Sequence, residues 1–128
     1  MSIRVVVADD HEVVRRGLGV LFADTNISIV GEAATGEQAI EQTRKLKPDV
    51  LVLDIRMPGM DGIDTLEKIK TELPETRVVM MSTYDNPTYV ARSSALGASD
   101  YVLKGSSREQ ILDAITRAAP DPTPRLTP

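Results

Sequence analysis

Apolar residues in this chain fall into short runs separated by polar stretches of similar length. Four runs are distinct, Ile3–Ala8 (IRVVVA), Ile27–Val30 (ISIV), Val50–Leu53 (VLVL) and Val78–Met81 (VVMM), and a fifth, Tyr101–Leu103 (YVL), is weaker. The first, third and fourth are nearly continuous rather than alternating, the pattern of strands covered on both faces, as in a parallel sheet. The stretches between them carry helical spacing. His11–Ala23 sets Val14, Leu18, Leu21 and Phe22 on one stripe, and Gly36–Leu46 sets Ala39, Ile40, Thr43 and Leu46 on another, with Thr35 and Gln38 spaced as a capping box. Asp61–Leu73 offers Ile63, Leu66, Ile69 and Leu73. Asn86 followed by Pro87 reads as an N-cap with proline at the first helical position, and Gly97 as the stop. Ser106 and Glu109 read as a second capping box, ahead of Ile111, Leu112, Ile115 and Ala118-Ala119. Five β–α units in a row, joined by right-handed crossovers, predict a doubly wound α/β layer with helices on both faces.

Length and composition narrow the picture. A chain of 128 residues, 41% hydrophobic, holds one domain with a sizeable core. The last nine residues, PDPTPRLTP, contain four of its eight prolines and read as a linker, so the expected organisation is a folded unit over 1–119 and a linker over 120–128. With no Cys there is no disulfide framework, thiolate metal site or thiol nucleophile, and one His makes no transition-metal cluster. The formal net charge of −4 argues against this stretch gripping a phosphate backbone by itself. No apolar run approaches the roughly 18 residues of a membrane span. A first strand at Ile3 leaves no room for a signal peptide, so the expectation is a cytoplasmic domain with no membrane contact.

Ligands of an open parallel sheet bind beyond the carboxyl ends of its strands. Those ends are chemically marked here: Asp9-Asp10 after the first run, Glu32 near the second, Asp54 after the third, Ser82-Thr83 after the fourth and Lys104 after the fifth. Were runs one, three, four and five neighbours, three carboxylates, a hydroxyl and an ammonium would converge. Carboxylates so close raise one another's pKa unless a cation sits among them. A hard divalent ion resolves the repulsion, and Mg²⁺ suits few carboxylates, several waters and phosphate oxygens. The loop Asp9-Asp10-His11-Glu12 lacks glycine and repels phosphate, so it is neither a dinucleotide fingerprint nor a P-loop.

Asp9-Asp10, Asp54 with Met57-Pro58-Gly59 and Asp61-Gly62, Ser82, and Tyr101-Val102-Leu103-Lys104, in that order and each at a strand end, resemble the receiver domain of two-component response regulators over residues 3 to 119. Asp9-Asp10-His11 with Val14-Arg15-Arg16-Gly17-Leu18, and Val30-Gly31-Glu32-Ala33, resemble its NarL/FixJ (LuxR-type) subgroup. In that subgroup a helix-turn-helix DNA-binding domain follows a linker and commonly opens with Leu-Thr-Pro, as Leu126-Thr127-Pro128 stands here. The resemblance implies a CheY-like, flavodoxin-like (βα)5 fold with strand order 2-1-3-4-5. It implies that Asp54 takes a phosphoryl group from the phosphohistidine of a sensor histidine kinase. Asp10, Asp54 and the backbone carbonyl of Arg56 would hold Mg²⁺, with Asp9 acting through water. Lys104 would pair with one phosphoryl oxygen and Ser82 donate to another, while Tyr101 turns inward as a switch. It further implies a phosphorylation-promoted homodimer, DNA contact only through a C-terminal domain, and a signalling role rather than an enzymatic one.

Blander readings stand beside these. Asp9, Asp10 and Asp54 have the residue type of turn caps, and Thr83 rivals Ser82. Tyr101 fits a half-buried strand aromatic, Glu32 a surface position, His11 a helix start, Met80-Met81 the core and Met57-Pro58-Gly59 a rigid turn. Arg15-Arg16 reads as a solvated face, with Val14, Arg15 and Leu18 as weak candidates for partner choice. Three rivals compete for the function. A stand-alone receiver acting on a protein partner is disfavoured by the terminal Leu-Thr-Pro. A haloacid-dehalogenase-class hydrolase is disfavoured because Arg56 occupies the place of its second Asp. A receiver that never takes phosphate is disfavoured by the intact acidic cluster. Gly105 stands where many receivers have proline, so a trans Lys104–Gly105 bond or a rearranged loop is expected. Arg56 and Tyr84 add bulk beside the site, which predicts slow loss of phosphate.

Overall fold

β1 (Ile3–Ala8), β2 (Ile27–Ala33), β3 (Val50–Asp54), β4 (Arg77–Ser82) and β5 (Asp100–Leu103) form one parallel sheet in the order β2-β1-β3-β4-β5. The computed structural model describes residues 2–120, so residues 121–128, with most of the expected linker and Leu126-Thr127-Pro128, lie outside the described residues. Between the strands run α1 (Glu12–Phe22), α2 (Gly36–Leu46), α3 (Gly62–Glu72) and α4 (Pro87–Ala95), and α5 (Arg108–Ala118) follows β5. Among the described residues no helix is long and apolar enough to cross a membrane.

The continuous apolar runs are explained by two cores. Val5, Val7, Val50 and Val52 face Leu18 and Phe22 of α1 and Ile111, Ala114 and Ile115 of α5. Their neighbours Val6, Ala8, Leu51 and Leu53 face Ala39 and Ile40 of α2 and Ile63, Leu66 and Ile69 of α3. Side chains of a strand alternate between faces, so a strand covered on both needs apolar residues at every position. Met80 and Met81 divide in the same way between the two cores. α4 joins the second core only through the partly buried Tyr89 and Leu96.

Several boundaries differ from the sequence expectation. β2 extends to Ala33 instead of ending at Val30, because Val5 pairs with Ile29 but Val6 with Gly31. Val30 is therefore a bulge, after which Glu32 and Ala33 pair with Val7 and Ala8. The second capping box is Ser107 with Gln110, one residue later than Ser106 with Glu109. Ser106 instead closes a turn, its amide bonding the Leu103 carbonyl at 3.0 Å. At α2, Thr35 accepts from the Gln38 amide as expected, but the Gln38 side chain reaches past the cap to the Ala34 amide at 2.8 Å. Asn86 caps α4 with Pro87 in its first turn, and Gly97 at φ +99 takes the left-handed turn that ends it. All described peptide bonds are trans, Lys104–Gly105 included.

Gly62 ties the fold to the end of β3. Its amide donates to the Ile55 carbonyl at 2.7 Å. A Cβ there would overlap the Asp54 carbonyl oxygen and lie 2.7 Å from Ile55 Cα, so only glycine lets α3 start this close to Asp54. Gly17, by contrast, is exposed in α1 with open space around it. Gly62→Ala should cost about 1–3 kcal/mol of stability through overpacking. Gly17→Ala should add about 0.5–1 kcal/mol through helix propensity. Urea unfolding of the two variants beside wild type checks both signs.

Candidate functional site

The strand order explains why distant residues meet. β1 and β4 flank β3, and β5 lies next to β4, so the loops after β1, β3 and β5 open at the same edge. Asp9 and Asp54 are buried there, 2% and 4% exposed. Lys104 Nζ reaches Asp9 Oδ2 at 2.6 Å and Asp54 Oδ2 at 3.3 Å, so one ammonium serves two carboxylates unequally. Asp9 Oδ1 accepts from the His11 amide at 2.9 Å, and Asp54 Oδ1 from the Arg56 amide at 3.4 Å. Asp10 is the outlier: its Oδ1 is buried and accepts no hydrogen bond. The exposed His11 ring brings Nδ1 to 3.1 Å from that oxygen and 3.2 Å from Asp9 Oδ1, while the residue itself is the N-cap of α1.

Burial, and then the charge of Asp9, push the Asp54 carboxyl above its ordinary range, and Lys104 only partly opposes them. For Lys104, burial alone would lower its pKa. The hydrogen bond to Asp9 and the charges of Asp54 and Asp9 outweigh it, and the net direction is up. The site is thus an ionised lysine facing a carboxylate that resists ionisation. Donor atoms of Asp9, Asp10, His11 and Asp54 lie within 4.8 Å of one another. Three carboxylates, one with a buried oxygen that accepts no hydrogen bond, make a donor set that could hold a hard divalent cation.

Ser82 is buried at the end of β4, and its Oγ accepts from the Tyr84 amide at 3.0 Å. Its rival Thr83 is exposed and lines a cleft of about 330 Å³ that also includes Asp54, Val14, Arg56, Tyr84 and Lys104. The Arg56 guanidinium lies over the Tyr84 ring, 5.5 Å from its centroid. Tyr101 is half-buried, and its hydroxyl donates to the Tyr84 carbonyl at 2.7 Å. Tyr84 is therefore held at its amide by Ser82 and at its carbonyl by Tyr101. Met57 is buried beside this edge.

Two residues at the site were missed by the sequence reading. Arg15 is not on a solvated face: it bonds the Asp9 carbonyl at 2.6 Å and Glu32 at 2.8 Å. Arg16 is the solvated member, paired with Glu12. Helical spacing held the clue, since Arg15 stands three and seven residues before the buried Leu18 and Phe22. Glu32 is exposed, as expected of a strand-end surface residue; what the sequence did not signal is that its carboxylate is the other end of that contact.

Comparison with known proteins agrees with this geometry. The sequence profile of the response regulator receiver domain matches residues 5–116. The response regulator protein VraR of Staphylococcus saprophyticus is 39% identical over 118 residues, which cover 91% of this chain and 56% of that protein. The chain thus spans little more than half the length of this relative. The signal receiver domain described as NarL from Mycobacterium tuberculosis superposes with a TM-score of 0.82 at 36% identity, covering 90% of this chain and 97% of that one. A LuxR-family two-component response regulator from Aurantimonas sp. gives a TM-score of 0.86 at 27% identity, covering 91% and 84%.

The raised Asp54 pKa has a sign for stability. The folded protein holds that proton more tightly than the unfolded chain, so ionised Asp54 works against the fold at neutral pH, and the penalty fades as pH falls through its raised pKa. Asp54→Asn should therefore melt higher than wild type in metal-free buffer at pH 7, and the gap should narrow toward acid pH. Calorimetry across pH reads this directly; a variant that melts lower at pH 7 would contradict it.

Proposed function

The chain belongs to the response regulator receiver domain family, and on that premise we propose that Asp54 accepts a phosphoryl group from the phosphohistidine of a sensor histidine kinase. The observation that carries the reading is a buried carboxylate facing a lysine at 3.3 Å, beside a second acid with a buried oxygen that accepts no hydrogen bond. An Asp54 oxygen attacks phosphorus, the phosphorus–nitrogen bond breaks, and its electron pair leaves with the imidazole. Such transfer needs positioning and charge neutralisation more than covalent help from the protein. Asp10, Asp54 and the Arg56 carbonyl would hold Mg²⁺, with Asp9 acting through water. The bound ion supplies Lewis-acid screening between these carboxylates and the phosphoryl oxygens.

Lys104 turns from Asp9 and Asp54 toward a phosphoryl oxygen. Ser82, buried at the strand end and already bonded into the β4–α4 loop, donates to another. That movement loosens the Tyr84 amide. Tyr101 holds the carbonyl of the same residue, so the loss is felt on β5 and on the adjoining faces of α4 and α5. A local charge event becomes a surface change through one shared loop residue.

The same reading makes residues 1–119 the receiver and 120–128 a linker to a LuxR-type helix-turn-helix domain. DNA binding belongs to that further domain, phosphorylation promotes a homodimer, and the protein works in the cytoplasm as a signalling switch rather than a turnover enzyme. The length of the VraR relative supports an output domain beyond this chain.

Incubation with Mg²⁺ and acetyl phosphate, followed by intact mass, should show one added phosphoryl group that Asp54→Asn abolishes. An unmodified mass, or modification that survives Asp54→Asn, would count against the assignment. The Arg56–Tyr84 stack beside the acceptor predicts slow hydrolysis of the acyl phosphate. Arg56→Ala with Tyr84→Ala should shorten the phosphoryl lifetime several-fold, and an unchanged lifetime would remove shielding as its cause.

A further inference from the structure

We propose that Arg15 is a positioning residue for the acidic site, gripping the peptide between Asp9 and Asp10 while Glu32 holds its guanidinium in place. This deepens the phosphoacceptor reading and rests on it.

Asp9 is constrained on every side. Its amide bonds the Ala33 carbonyl at 3.0 Å, one carboxylate oxygen takes the His11 amide at 2.9 Å and the other takes Lys104 at 2.6 Å. Its carbonyl oxygen is held at 2.6 Å by Arg15 Nη1, and Arg15 Nε bonds Glu32 Oε1 at 2.8 Å. The Arg15 side chain is 17% exposed, unusual for a surface arginine and reason to assign it a fixed geometry.

The Asp9 carbonyl belongs to the peptide plane that leads into Asp10. Holding it sets the direction from which the Asp10 side chain leaves the backbone. Asp10 has few constraints of its own: its buried Oδ1 accepts no hydrogen bond, and the one ring beside it is that of the exposed His11, with Nδ1 at 3.1 Å. The orientation of the most open carboxylate in the site is therefore imposed through the preceding peptide. A guanidinium can do this because its fork bonds a carbonyl and a carboxylate at once, which an ammonium on a flexible stem does not reproduce. Glu32 gains a purpose as well: the bulge at Val30 lets β2 resume pairing with β1 and carries Glu32 alongside the site.

Charge and position make opposite predictions. Were Arg15 acting only through space, losing its positive charge would tighten binding of a divalent cation among the acids. Were it acting by position, losing its fork would weaken that binding, even with the charge retained. Groups that orient metal ligands typically contribute about 10–100-fold to affinity.

The test is an NMR titration of the intact chain with Mg²⁺ alone, following backbone amides of Asp10 and Asp54, for wild type, Arg15→Lys, Arg15→Met, Glu32→Gln and Arg16→Lys. Dispersion of the remaining signals reports folding in the same spectra, and Arg15→Lys keeps the question open should Arg15→Met unfold. Arg15→Lys should weaken Mg²⁺ binding about tenfold or more. Glu32→Gln should weaken it less, and should add little in the Arg15→Lys background, because both act through one contact. Arg16→Lys should match wild type. Wild-type affinity in Arg15→Lys, or tighter binding in Arg15→Met, overturns the proposal. Phosphorylation of wild type by acetyl phosphate separates the two levels. If wild type takes the phosphoryl group and Arg15→Lys binds Mg²⁺ normally, only the positioning role fails. If wild type takes neither phosphate nor Mg²⁺, the phosphoacceptor reading fails and the proposal with it.

Discussion

Repulsion among three carboxylates at one sheet edge is the constraint on which the rest of the structure turns. Asp9, Asp10 and Asp54 bring donor oxygens within 4.8 Å of one another, in a region where two of the three residues are almost fully buried. At such separations like charges raise one another's proton affinity, and burial adds to the effect. Lys104 is the one ammonium in contact with the cluster among the described residues, and it sits closer to Asp9 than to Asp54. The asymmetry has a chemical result. Lys104 lies nearer to Asp9, and burial with the charge of Asp9 leaves the Asp54 carboxyl above its ordinary range. A carboxylate in that state is poorly stabilised as an ion, which suits the acceptor role proposed for it.

Such a cluster holds together only because the backbone around it is over-determined. β1 and β3 pair through the buried segments 5–8 and 50–53 and place Asp9 and Asp54 at their ends, where neither can retreat without moving the core. Gly62 presses the start of α3 against the Asp54 carbonyl. On the other flank Tyr84 is pinned at both its amide and its carbonyl. Asp9 and Asp54 are buried and bonded in place, while Ser82 at the end of β4 and Tyr101 on β5 both hold Tyr84 in the loop that follows β4. Under the proposed function the charge changes at a fixed place and that loop reports it.

Much of this was legible in the chain, for physical reasons that can be named. Strands covered on both faces must be apolar at consecutive positions, so β1, β3 and β4 announced themselves, and the polar residues ending them became site candidates at once. Asp9, Asp10 and Asp54 follow from that rule, whereas Lys104 closes β5, a weaker and half-buried run, and joins them through the strand order. The misses share a different character. The apolar run of β2 stops at Val30 although the strand ends near Glu32, because the run does not show the bulge across which pairing with β1 resumes and continues to Ala33. Ser106…Glu109 and Ser107…Gln110 are equally good capping boxes, and local chemistry cannot choose between them. Arg15 and Glu32 lie on different elements, 17 residues apart, and nothing in either neighbourhood signals the other. Only the tertiary fold turns an apparently solvated arginine into a partner of the Asp9 carbonyl.

The two cations near the acids divide the work by what they touch. Arg15 binds a backbone carbonyl and a remote carboxylate, so its contacts survive whether the site carries an anion or not. Lys104 binds the Asp9 and Asp54 carboxylates themselves, so under the proposed function its contacts are given up when an anion arrives. Breaking a buried ion pair without replacement costs about 3–5 kcal/mol, because the abandoned partner keeps an uncompensated charge. Lys104 can therefore leave Asp9 only when another cation compensates that acid. Asp10, next to Asp9 in the chain, keeps a buried Oδ1 that accepts no hydrogen bond, and it is the carboxylate beside which such compensation would act. Under the proposed function these contacts imply an order of events: a fixed arginine keeps the acids aimed, an added positive charge releases the lysine, and the released lysine meets the incoming anion.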